Sequence, residues 1–82
     1  MISLVKESKH PAAKVLERAV AFFGPGGWGL TLIEQGECCV RLEGAGGHVY
    51  VTARDKEKAR RSTVEVESRE FEYAAKEFLS KI

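Results

Sequence analysis

From Lys9 to Phe23 the apolar residues Ala12, Val15, Leu16, Ala19, Phe22 and Phe23 return every three or four positions, predicting an amphipathic helix with one inward stripe. Ser8 is the expected N-cap. Pro11 suits a first turn whose amides lack intrahelical partners, and Gly24-Pro25 ends the helix. Beyond the glycine-rich link the period drops to two, the signature of strands half covered on one face. Strands are expected at 28–33, 37–43, 48–53 and 63–67, and a second helix at 69–81.

The first hairpin is expected to turn through Glu34-Gln35-Gly36, pairing Leu32 with Cys38, Leu30 with Val40 and Trp28 with Leu42. A regular two-residue turn would instead set Leu30 against Arg41 and split the apolar residues between faces. Gly44-Ala45-Gly46-Gly47 forms the next tip, with Leu42 opposite Val49 and Val40 opposite Val51. A meander then brings Val51 beside Val66. Ser68 is the expected cap of the last helix, in which Phe71, Ala75, Phe78 and Ile82 form the inner stripe. The pattern predicts an α+β fold of order α-β-β-β-β-α: a single domain with a four-stranded antiparallel meander and both helices on one face. Ile2 to Val5 offers a further edge strand.

Such a sheet leaves a polar face uncovered. The expected rows across it are Gly29, Arg41, Tyr50 and Glu67, then Thr31, Cys39, Thr52 and Glu65, with Glu43 opposite His48. Arg41, Tyr50, Cys39, Thr52 and His48 are therefore the expected contact residues: Arg41 for a carboxylate or other anion, Tyr50 as an apolar anchor. The partner is expected to be a protein, or a second copy in a homodimer. The same side chains also make a solvated face laced by cross-strand pairs, which is the ordinary way to stabilise a sheet.

With 82 residues, 44% hydrophobic and 30% charged, and a formal charge of +1, the composition is that of an ordinary small domain. Near neutrality argues against a dedicated nucleic-acid or membrane-surface protein, and no apolar run is long enough to cross a bilayer. A local exception lies between Arg54 and Arg61, where Arg54, Lys56, Lys58, Arg60 and Arg61 outnumber Asp55 and Glu57. That loop is the alternative site, for phosphates of a nucleic acid. A helix, an antiparallel sheet and a closing helix also describe double-stranded RNA-binding domains, whose last helix begins with phosphate-gripping lysines. Here that stretch is Ser68-Arg69-Glu70-Phe71-Glu72, which is acidic, so the likeness is one of topology alone.

The two cysteines are neighbours. In a regular strand Cys38 would face the core and Cys39 the open side, leaving Cys39 as a candidate reactive thiol near Arg41. A disulfide between neighbours is strained and rare, so the pair is not expected to form a stabilising framework, and a reducing cytoplasm is the expected compartment. Cysteines facing opposite ways and two distant histidines do not make a tetrahedral metal shell, and neither glycine loop leads into the Lys-Ser/Thr pair of a nucleotide-phosphate loop. No metal or cofactor is expected, and the pattern leans away from an enzyme.

Overall fold

Seven elements follow one another in the computed structural model, which describes residues 2–56 and 61–82: β1 (Ile2–Ser8), α1 (Ala12–Phe23), β2 (Thr31–Gln35), β3 (Cys39–Gly44), β4 (Gly47–Asp55), β5 (Ser62–Arg69) and α2 (Glu72–Ser80). All strand pairs are antiparallel, in the order β1-β5-β4-β3-β2. The sheet has five strands where four were expected. β1 pairs with β5 from Ile2 opposite Ser68 to Ser8 opposite Ser62. Its inward residues explain why it docks: Leu4 packs against the core, Lys6 Nζ donates to the Leu79 carbonyl, and Ser8 Oγ donates to the Ile82 carbonyl at 3.0 Å.

The registers from β3 to β5 follow the period-two pattern, with Val40 opposite Val51, Leu42 opposite Val49 and Val51 opposite Val66. The tip between β3 and β4 is a two-residue turn, in which Ala45 and Gly46 both have positive φ, 38° and 83°. That combination matches the twist of the flanking strands.

The first hairpin departs from expectation. Leu32 lies opposite Leu42, not Cys38, while Glu34 faces Arg41 and Gln35 faces Val40, because a bulge at Ile33 shifts the register. Gly36 N–H donates to the Cys39 carbonyl at 2.8 Å, so Glu37 and Cys38 form a two-residue tip. A bulge places one extra residue on one strand, so a two-residue turn still leaves Leu32 opposite Leu42, while Ile33 and Cys38 are exposed. Parity excluded that turn only for a regular ladder.

Both helices cover one face. Val15, Leu16, Ala19 and Phe23 of α1 and Ala74, Ala75, Phe78 and Leu79 of α2 are buried over the inward valines of the sheet. Phe22, Phe23 and Phe78 form a ring cluster with centroids 5.0–5.6 Å apart. The caps differ from those read in the sequence. Ser8 ends β1, and the first amide of α1, at Ala12, donates to Asp55 Oδ1 at 2.7 Å. A carboxylate borrowed from β4 thus satisfies an orphan donor and complements the positive end of the helix. Ser68 is buried within β5, and α2 begins only at Glu72, after the chain turns through Glu70 at φ 70°.

Candidate functional site

The uncovered face carries side chains in cross-strand rows fixed by the ladder. Thr31, Glu43, His48 and Arg69 form one row, Glu34, Arg41, Tyr50, Glu67 and Ser3 the next, and Cys39, Thr52, Glu65 and Val5 the third. All five expected contact residues stand on this face, in three rows. Arg41 is opposite Tyr50, Cys39 is opposite Thr52, and His48 is opposite Glu43. Gly29 and Thr31 leave the positions expected for them, because the bulged hairpin slides β2 along β3; Thr31 moves into the His48 row and Glu34 takes the place beside Arg41.

Polar contacts across this face are few and exposed. Arg41 Nε donates to Glu43 Oε2 at 3.2 Å, and Ser3 Oγ donates to Glu65 Oε2 at 3.2 Å. An exposed ion pair of this kind contributes about 0–1 kcal/mol, so it does little to hold Arg41 in place. At one end of the face a shallow groove of about 540 Å³ is lined by Thr31, Ile33, Glu43, His48, Arg69 and the turn at 44–47. The bulge leaves Ile33 half exposed here, an apolar group within a polar rim. A smaller hollow of about 270 Å³ lies near the β1 edge, between Val5, Thr52, Arg54, Thr63 and Glu65. Sequence reasoning missed Arg69 because β5 runs two residues past Glu67, through a serine that reads as a helix cap. It missed Val5, which is 63% exposed, because the edge strand was only an option.

The cysteine pair is arranged differently from expectation. Cys38 is exposed at the hairpin tip and not inward, and its sulfur is bonded to that of Cys39. Trp28 does not pair with Leu42 inside the sheet. It is 46% exposed in the link after α1, with its ring 6.4 Å from that of Tyr73 on α2.

Of the basic loop, Arg54 stands opposite Thr63 at the far end of the open face, and Lys56 Nζ is ion-paired with Glu7. The Arg61 carbonyl accepts from the Lys56 amide. Lys58 and Arg60 lie outside the described residues. Among the described residues no group of three or more His, Cys, Asp or Glu side chains is placed to hold a metal ion, and no helix is long and apolar enough to cross a membrane.

Two titratable groups near the β1 edge are shifted. The hydrogen bond from Lys56, and then its charge, hold the Glu7 carboxyl below the usual 4.5. Burial, followed by the positive charges of Arg18, Lys9 and Lys14, holds His10 below the usual 6.5. A depressed pKa means the unfolded chain binds more protons in the window between the two values, so stability rises with pH there. Unfolding in urea is therefore expected to need less denaturant at about pH 5.5 than at about pH 7.5, and His10→Gln is expected to reduce that difference. Glu7 acts only below its ordinary value and drops out of the comparison.

Comparison with known proteins finds no family model, no curated protein and no solved structure that matches this chain.

Proposed function

We propose that the chain is a small binding domain, working through the open face of its sheet on a protein partner that offers a carboxylate beside an apolar group. The observation that supports this is the asymmetry of the sheet. Both helices cover one face, while the other sets Arg41 against Tyr50, flanks them with Thr52 and His48, and ends in the groove beside Ile33. Arg41 supplies a planar donor fork to a carboxylate, and Tyr50 supplies contact area at low entropic cost. Cys39 sits at the rim of this surface beside Thr52. A second copy is one partner that fits, because the face carries Glu65 and Glu67 as well as Arg41.

The test is an amide NMR spectrum of the labelled chain, recorded through serial dilution and against an acidic peptide containing an aromatic residue. Shifts are expected to cluster at Arg41, Tyr50 and Thr52. Arg41→Ala and Tyr50→Ala are each expected to weaken binding about tenfold, the effect of a loss of about 1.4 kcal/mol. Unmoved signals on this face in both series would sink the reading. Salt-sensitive shifts confined to Arg54, Lys56 and Arg61 on adding RNA would instead favour a phosphate-binding loop.

A further inference from the structure

A disulfide stabilises chiefly by closing a loop in the unfolded chain, and its effect grows with loop length. The Cys38–Cys39 bond closes no intervening residue, so it does not act as a staple. It stands where chemistry can reach it: Cys38 is exposed at the β2–β3 tip, and Cys39 is half exposed on the open face beside Thr52. The sequence contains no other cysteine, so any exchange within one chain is confined to this pair.

The fold also accounts for how two neighbours meet. In a straight strand their side chains would diverge to opposite faces. Here they span a turn whose backbone is held on both sides. The Cys39 carbonyl accepts from Gly36 N–H at 2.8 Å, and the Cys38 carbonyl accepts from Ala53 N–H at 2.9 Å. The turn thus fixes the peptide between the two cysteines, and folding itself brings the sulfurs together.

We propose that Cys38 and Cys39 form a redox-reversible site that exchanges with a thiol reductant, cycling between the vicinal disulfide and a paired dithiol. A thiolate of the reductant attacks Cys38 Sγ, the more exposed sulfur. The S–S bond breaks and its electron pair leaves on Cys39 Sγ, which takes up a proton. A second reductant thiolate then attacks the reductant's own sulfur in the mixed disulfide, and Cys38 departs as a thiolate that is protonated in turn. Two thiols become one disulfide, and the chain gains two electrons and two protons. The reverse sequence restores the bond.

The experiment equilibrates the chain in buffers of varied reduced and oxidised glutathione, quenches with acid, labels free thiols with a maleimide and weighs the intact chain. Two species are expected to dominate, one unlabelled and one doubly labelled. They should exchange places over about a hundredfold change in the ratio of squared thiol to disulfide, as a two-electron couple requires. Reduced chain is expected to bind one phenylarsine group, both thiols displacing water from phenylarsine oxide. Cys38→Ser and Cys39→Ser, each confirmed as folded by circular dichroism, are expected to lose this binding and to accumulate a single glutathione adduct. Either of two results in the wild-type chain overturns the proposal: double labelling at every ratio, or glutathione adducts and linked dimers with no internal bond.

Discussion

Replacing Phe78 with alanine is expected to leave the chain close to unfolded at room temperature. Phe78 is fully buried, and its ring lies 5.2 Å from that of Phe23 and 5.6 Å from that of Phe22. It is therefore where α2 locks onto α1. Truncating such a residue removes its transfer free energy and opens a cavity, together costing about 3–5 kcal/mol. Domains of this size sit toward the lower end of the usual 5–15 kcal/mol of stability, so the loss takes most of what is available. The melting temperature is expected to fall by about 12–40 °C, as followed by circular dichroism. Phe78→Leu keeps much of the volume and is expected to lose far less. If the alanine variant melted within a few degrees of the parent, α2 would not be seated on the ring cluster.

The second large effect is expected from a single methyl group. A Cβ built on Gly27 would stand 1.9 Å from the Phe22 carbonyl oxygen, 2.6 Å from its carbon and 2.8 Å from the Ala21 oxygen. These are backbone atoms at the end of α1, and no rotamer change moves them. The link must shift, which disturbs the bonds from Gly27 N–H and Gly29 N–H to the Gly24 carbonyl, Trp28 N–H to Phe22, and Leu30 N–H to Phe23. With about 1 kcal/mol for each bond weakened, Gly27→Ala is expected to cost about 2–4 kcal/mol in urea unfolding. Gly26→Ala provides the control. Nothing lies within 4 Å of its Cβ, and its stability is expected to stay within about 0.5 kcal/mol of the parent. Equal behaviour of the two variants would contradict the path of this link.

Period-two alternation carried the middle of the fold into view. Val40, Leu42, Val49, Val51 and Val66 lie where their spacing puts them, and Arg41 with Tyr50 follows on the opposite face. The departures have separate physical causes. Parity reasoning on β2 presumes an unbroken ladder, and a bulge at Ile33 is invisible to it. β1 finds its partner sixty residues away, and its inward Lys6 interrupts the apolar alternation, so nothing local declares it a strand. Ser8 and Ser68 resemble caps because a serine hydroxyl suits a helix start, yet both lie in strands. Cys38 was placed inward by a rule for straight strands and lies in a turn. The groove beside His48 was therefore only half legible, since Ile33 and Arg69 reach it through the bulge and through the overrun of β5.

The pairing of the first strand with the last has a kinetic consequence. β2 to β5 form a meander of neighbouring hairpins, with short tips at 36–39 and 44–47. Closing β1 onto β5 instead spans the chain from Ile2 to Ser68, and the Ser8 hydroxyl must also find the Ile82 carbonyl. Long closures lose more chain entropy before any contact compensates for it. The central meander and α1 are thus expected to nucleate folding, with β1 joining β5 afterwards; φ-values near zero for substitutions in β1 are the expected result. In that order the β5 edge would stay bare until β1 docks, a brief interval in which a strand of another refolding chain could take the vacant place.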